Sequence, residues 1–283
     1  MTRYAQLVIG PAGSGKSTYC YHLQQHCNTI GRNLDVINLD PAAEDFKYAV
    51  AADIRELVPL EDVMEEFNYG PNGGLIYCME YLEENMDDWL AEKLEDYIDD
   101  DYVVFDCPGQ IELYTHIPVF KSLVEQLKRW DFNLCAVYLL DSQFVSDVTK
   151  YISGCLSSLS AMVQLELPHV NVLTKMDLVA KKKDIEDYLD PDPVFLLSEM
   201  NANTAPRYGK LNAALAELID DYRMVNFVPL DVTSEDSLQY LLSTIDNAIQ
   251  YGENSEVKIK DYDPDIGDGM SFNMDADIET DNF

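Results

Sequence analysis

Gly10-Pro11-Ala12-Gly13-Ser14-Gly15-Lys16-Ser17-Thr18 follows the apolar run Tyr4–Ile9 and opens a segment that reads as a helix to about His26. A glycine-rich loop ending in Gly-Lys-Ser, set between a strand and a helix, is the pattern of a chain that wraps a polyphosphate. Its glycines let successive backbone N–H groups turn inward as a nest, and the helix start adds partial positive charge. Gly13, Ser14, Gly15, Lys16, Ser17 and Thr18 are therefore candidate nucleotide-binding residues. Lys16 has the reach for β- and γ-phosphates, and the Ser17 hydroxyl suits a Mg²⁺ ion that keeps most of its water.

Outward from this loop the same design recurs: a short apolar run that ends in a polar residue. Leu34–Leu39 precedes Asp40, Tyr102–Phe105 precedes Asp106, and Leu134–Leu140 precedes Asp141. Val170–Leu173 before Thr174 and Phe227–Leu230 before Asp231 complete the series. Continuous rather than alternating apolarity marks strands covered on both faces. The expected fold class is α/β, a mostly parallel sheet of the P-loop NTPase type flanked by helices, with its ligand beyond the C-terminal strand ends.

Those ends carry the remaining chemistry. One helix separates the first two strands, so a right-handed crossover makes them parallel and brings Asp40 out on the phosphate side. Asp106, in Asp106-Cys107-Pro108-Gly109-Gln110, is placed to hold a Mg²⁺-bound water. Gly109 can give a backbone N–H to a γ-phosphate, and Gln110 can orient an attacking water. Ser17, Asp40 and Asp106 are the candidate metal ligands. In Thr174-Lys175-Met176-Asp177, the Asp177 carboxylate can accept both the N1 and 2-amino protons of guanine, whereas adenine leaves it unpaired at a cost of roughly 1–3 kcal/mol. Lys175 can cover the base face, Thr174 can tie this loop to the phosphate loop, and the backbone around Val232–Ser234 is a candidate for a further base contact.

The chain has 283 residues, 52 acids against 19 bases and a net charge of −33, with 47% hydrophobic residues to build a core. Such a surface repels phosphate backbones and anionic membranes, which argues against direct nucleic-acid or membrane binding. Its longest strongly apolar run, Leu134–Leu140, falls far short of the roughly 20 residues of a membrane span. No secretory leader is legible, so a cytoplasmic protein is expected. Cys20, Cys27, Cys78, Cys107, Cys135 and Cys155 are scattered without a Cys-x-x-Cys pair and read as reduced core residues.

Residues 1–252 read as one GTPase-like domain and 253–283, with ten acids against Lys258 and Lys260, as an acidic disordered tail. Within the domain, Leu82, Met86, Leu90, Leu94 and Ile98 recur every four residues as the apolar face of an acidic helix. A helical insertion is expected at about 180–225, with Leu211, Leu215, Leu218, Ile219 and Tyr222 on its apolar face. Gly70-Pro71-Asn72-Gly73-Gly74 reads by itself as a tight turn.

Taken with Gly10–Thr18, Asp40-Pro41-Ala42, Asp106–Glu112 and Thr174–Asp177, the Gly70-Pro71-Asn72 triplet resembles the GPN-loop GTPases over roughly residues 3–252. The resemblance implies GTP hydrolysis with Mg²⁺ in a dimer whose GPN loops reach across, so that Asn72 bears on the partner's nucleotide. It implies Asp40, Gln110 and Glu112 as alternative residues to position or deprotonate the water, and nothing in the sequence ranks them. It further implies pairing with the first paralogue, GPN-loop GTPase 1, assistance to the assembly and nuclear import of RNA polymerase II subunits, and shuttling to the nucleus. A GTP-binding assembly chaperone whose partner hydrolyses is the alternative. A small-acceptor kinase explains Gly10–Thr18 but leaves Thr174–Asp177 without a purpose.

Overall fold

The computed structural model describes residues 3–98, 101–179, 185, 188–189, 192–221 and 226–253. Among them, strands β1 (Arg3–Ile9), β2 (Asp35–Asn38), β3 (Val50–Asp53), β4 (Tyr102–Asp106), β5 (Phe132–Asp141), β6 (His169–Thr174) and β7 (Phe227–Pro229) form one sheet. Its order is β3-β2-β4-β1-β5-β6-β7, and every pairing is parallel. The six sequence-expected strands are present, each within a few residues of its run. β3 was not expected, because Val-Ala-Ala-Asp is too short and too weakly apolar to stand out, as befits an edge strand. β1 and β2 are parallel but not adjacent, since β4 lies between them.

Buried strands still distribute alternate side chains to opposite faces. Tyr4 and Val8 of β1, with Cys135, Val137 and Leu139 of β5, join a core beneath α1 (Lys16–Thr29). Ala5, Leu7 and Ile9, with Leu134, Ala136, Tyr138 and Leu140, join the core on the other face. That second core is covered by α2 (Leu60–Phe67), α3 (Pro71–Glu84), α4 (Ala91–Leu94), α5 (Glu112–Thr115), α6 (Val119–Arg129) and α7 (Val148–Leu165). Between β6 and β7 come α8 (Pro193–Asn203) and α9 (Gly209–Asp221), and α10 (Glu235–Ile249) returns to the α1 face. No helix among the described residues is long and apolar enough to cross a membrane. All six cysteines are buried and unpaired.

Three sequence expectations change. The Gly70–Gly74 segment is not a tight turn: Gly70 caps α3 with an ordinary φ of −75°, and Pro71 takes the first helical position. Proline suits that position because its missing N–H is an orphan there anyway. The acidic helix is not continuous through Ile98. It stops at Asn85, passes through a π-turn at Met86–Leu90, and Ile98 is exposed while Leu82, Met86, Leu90 and Leu94 are buried. On α9 the buried residues are Asn212, Ala216 and Ile219, and Leu211 is exposed. A hydrogen bond from Asn212 Nδ2 to Asn201 Oδ1 of α8 (2.9 Å) makes this polar residue a packing one. Tyr222, residues 180–184 and the tail from 254 onward lie outside the described residues.

Candidate functional site

The phosphate loop is held by contacts that leave little latitude. Where it leaves β1, Gly10 has φ +139°, and a Cβ there would lie 2.3 Å from the carbonyl oxygen of Leu139. Gly13 (φ +78°) and Gly15 (φ +93°) take left-handed conformations that turn the loop into α1. The resulting cleft, about 450 Å³, is lined by Ala12, Gly13, Gly15, Lys16, Ser17, Thr18, Asp40, Gly109, Gln110 and Lys175. Lys16 is buried, and its Nζ donates to the carbonyls of Gly10 (3.1 Å) and Pro11 (3.3 Å). Burial lowers its pKa, and the nearby Asp106 and Asp40 carboxylates oppose that shift.

Asp106 ends β4 only 2% exposed. Its carboxylate accepts from the Tyr48 hydroxyl at 2.8 Å, and the Ser17 hydroxyl stands near it as a second donor. Burial raises its pKa, while those two donors and Lys16 oppose the shift. Burial and the neighbouring Asp106 charge in turn push the Tyr48 phenol upward, so it remains a donor. Asp40 accepts from the Ala42 N–H at 2.9 Å, and its pKa too is raised by burial against that N–H, Lys16 and Arg55.

Beneath Asp40 runs a brace. Asn38 Nδ2 donates to the Asp40 carbonyl (3.0 Å) and to Asp53 Oδ1 (2.9 Å), and Asn38 Oδ1 accepts the Asp40 N–H (3.0 Å). Asp53 pairs with Arg55 at 2.6 Å, and Arg55 Nη1 donates to the carbonyls of Ala43 (2.9 Å) and Glu44 (2.8 Å). Burial works to raise the Asp53 pKa, but hydrogen bonds from Arg55 and Asn38 lower it overall.

Among the described residues no three His, Cys, Asp or Glu side chains cluster into a metal cage. The side chains that could hold a metal at the cleft offer oxygen: Ser17, with Asp106 behind it and Asp40 on the cleft wall. That set suits Mg²⁺ held mostly by water and phosphate, and lacks the nitrogen and sulfur donors that structural zinc takes.

After β4 the chain folds back onto the phosphate loop. A Cβ on Gly109 would sit 2.8 Å from Ala12 Cα. Gln110 lines the cleft, and its buried Oε1 accepts no hydrogen bond among the described residues. Glu112 is exposed at the start of α5 and is absent from the lining. Tyr114, fully buried, donates its hydroxyl to the Gly10 carbonyl (2.6 Å) and accepts the Gly10 N–H (3.1 Å). His116 is exposed, with Nδ1 against the Thr115 hydroxyl.

At the other end of the loop, the Thr174 hydroxyl donates to the Ser14 carbonyl at 2.7 Å and stands 3.2 Å from the Leu140 carbonyl. Lys175 is left-handed (φ +60°), its Nζ pairs with Asp141 at 2.6 Å, and the Ser142 hydroxyl donates to its carbonyl at 3.2 Å. The buried Met176 gives its N–H to Leu230 (3.2 Å), which docks this loop on the end of β7. Asp177 is exposed on the turn that follows. The Asp231 carboxylate takes the Thr233 N–H (3.0 Å), ordering the neighbouring loop before α10.

Gly70, Pro71 and Asn72 are all exposed, and none lines the cleft. Sequence reading passed over Tyr48, Tyr114, Asn38, Asp53 and Arg55, and gave Asp141 no role beyond ending its strand. Asn38 carried a signal, a polar residue inside an otherwise apolar strand. Tyr48 and Tyr114 carried none, because their hydroxyls find partners only through tertiary folding.

A family model described as a conserved hypothetical ATP binding protein matches residues 8–251. A Mycosarcoma maydis protein named GPN-loop GTPase 3 is 55% identical over 95% of this chain and 99% of its own length. A Danio rerio protein of the same name is 56% identical over 91% of this chain and 92% of its own. An apo-form GTPase crystal structure from Pyrococcus abyssi shares the fold with a TM-score of 0.72 at 22% identity, covering 87% of this chain and 97% of its own. With the triplet Gly70-Pro71-Asn72 opening α3 and near-full-length similarity on both sides, the chain belongs to the GPN-loop GTPase family.

Proposed function

We propose that this protein binds GTP with Mg²⁺, hydrolyses it to GDP and phosphate, and uses the change to switch a dimer. The observation that carries the reading is the convergence of Lys16, Ser17 and Asp40 on one cleft, with the buried Asp106 behind them and Thr174 tying the base loop to the phosphate loop. Backbone N–H groups of Gly13–Thr18 grip the phosphates by fixed dipoles, which lets a chain of net charge −33 hold a polyanion. Lys16, already poised over the loop, supplies the mobile charge. Bound magnesium would neutralise charge across the β- and γ-phosphates. Ser17 would hold it directly, with Asp106 and Asp40 through water.

Of the three residues proposed to act on the water, Gln110 and Asp40 face the cleft and Glu112 does not. The Gln110 side-chain amide orients the water for in-line attack on the γ-phosphorus, with the Asp40 carboxylate alongside, and the water's proton ends on the released phosphate. The bond from that phosphorus to the bridging oxygen breaks, GDP leaves, and the loops after Asp40 and Asp106 lose the γ-phosphate that ordered them. Asn72 acts on the nucleotide of the partner, the paralogue GPN-loop GTPase 1, and the pair assists assembly and nuclear import of RNA polymerase II subunits from the cytoplasm. Family resemblance supports this last part.

Guanine selectivity separates this reading from the ATP-binding description of the family model. In competition titrations GTP is expected to outbind ATP, and Asp177→Asn to reduce the preference by about tenfold or more. Equal binding of the two nucleotides by the parent chain would refute the guanine assignment. Recovery of a phosphorylated acceptor in place of free phosphate would refute the hydrolysis.

A further inference from the structure

Tyr48 sits 4% exposed in the segment that joins Asp40 to β3, far in sequence from Asp106, yet its hydroxyl is the donor on Asp106 Oδ2 at 2.8 Å. Its backbone neighbour is clamped independently. Gln24 of α1 donates Nε2 to the Ala49 carbonyl (3.0 Å) and accepts the Ala49 N–H at Oε1 (2.8 Å). On the other side the Tyr48 ring packs on Phe46 at 5.1 Å, and Phe46 lies under the Arg55 guanidinium at 4.5 Å. The phenol is thus delivered to Asp106 by two supports, one from the phosphate-loop helix and one from the brace beneath Asp40.

We infer that Tyr48 is a positioning residue for magnesium. Its hydroxyl occupies one side of the Asp106 carboxylate, which aims the remaining acceptor capacity at Ser17 and the cleft, and it ties the 41–47 loop to that carboxylate. A carboxylate behind a metal site that lacks such a partner rotates among several orientations, and loss of a supporting hydrogen bond of this type weakens metal binding by about ten- to a hundredfold. The inference rests on the Mg²⁺-nucleotide reading above and extends it to a residue outside the cleft lining.

The test is a Mg²⁺ titration of fluorescent GDP binding to the full chain, run beside the same binding in EDTA. Tyr48→Phe keeps the ring and removes only the hydroxyl. It is expected to raise the half-saturating Mg²⁺ concentration about tenfold and to leave affinity in EDTA unchanged. Gln24→Ala, which frees Ala49 but spares the phenol, is expected to shift the titration in the same direction by a smaller factor. Phe46→Leu loosens the second support and is likewise expected to give a smaller shift than Tyr48→Phe. Superimposable titrations for parent and Tyr48→Phe overturn the inference, as does an equal shift in Phe46→Leu. If Tyr48→Phe does not fold, an unshifted Gln24→Ala titration overturns it. A parent chain with no Mg²⁺-dependent nucleotide binding defeats the functional reading itself, whereas a Mg²⁺-dependent parent with an unshifted Tyr48→Phe defeats only the role of Tyr48.

Discussion

Helices α1 and α3 each begin after a glycine, and the chain surrounds the two starts in opposite ways. At α1, Gly15 is left-handed, Lys16 is buried and bonded to the loop's own carbonyls, and the Ser17 hydroxyl stands near Asp106. Tyr114 and Thr174 fasten the loop from either side. At α3, Gly70 has an ordinary φ, a Cβ there would meet nothing within 4 Å, and Asn72 is exposed. One start is finished by its own chain. The other offers an amide side chain that nothing among the described residues engages, which is what the proposed role of Asn72 at a partner's nucleotide requires.

Substitutions around the two starts should therefore diverge, and the largest effect is expected at Gly10, where β1 enters the phosphate loop. Gly10→Ala places a methyl 2.3 Å from a main-chain oxygen; a loss of about 3 kcal/mol or more in denaturant stability is expected. A variant as stable as the parent would mean that the loop is far looser than drawn. Lys16→Ala removes the buried cation over the loop, and calorimetry should report GTP affinity reduced roughly a hundredfold. Retained affinity would shift the weight of phosphate binding wholly onto the backbone.

A smaller effect is expected where the cleft meets its supports. Arg55→Met strips the Asp53 pair and two carbonyl contacts from the Asp40 loop, so thermal melts should show about 1–2 kcal/mol of lost stability, with faster amide exchange at residues 42–46. At the α3 end, Asn72→Ala should change the stability of the isolated chain by less than about 0.5 kcal/mol and leave its own GTP affinity unaltered. Single-turnover measurements with the variant in one subunit of the pair should then slow hydrolysis at the opposite site. A loss of binding within the isolated chain would erase the distinction between the two helix starts.

What was legible beforehand follows the same divide. Gly10–Thr18 could be read because backbone geometry demands glycine at fixed spacing, and Asp40, Asp106 and Thr174 could be read because each terminates an apolar run. Six strands showed themselves through continuous burial; β3 did not, since an edge strand of Val-Ala-Ala-Asp needs little apolar area. Gly70–Gly74 misled because Gly-Pro-Asn-Gly suits a turn as well as a helix start, and only the apolar residues Leu75, Met79 and Leu82, packed into the core, decide between them. Ile98 misled by extending a period of four past the π-turn, where the helix has shifted phase. Tyr48, Arg55 and Tyr114 were invisible for a simpler reason: a hydroxyl or guanidinium that braces a distant loop leaves no local pattern.

The placement of β4 between β1 and β2 has a consequence for biosynthesis. β1 has no neighbours in the sheet except β4 and β5, so its hydrogen-bonding edges stay open while about the first hundred residues leave the ribosome. The β2–β3 pair can close early, but the strand that launches the phosphate loop waits for segments made much later, and Gly10 waits for Leu139 and Tyr114. Non-local parallel pairing of this kind is slow and exposes unpaired strand edges to other chains. A nascent chain would therefore acquire its capacity for nucleotide only after β5 has emerged, and ribosome-stalled fragments ending before Phe132 are the ones expected to need a holdase.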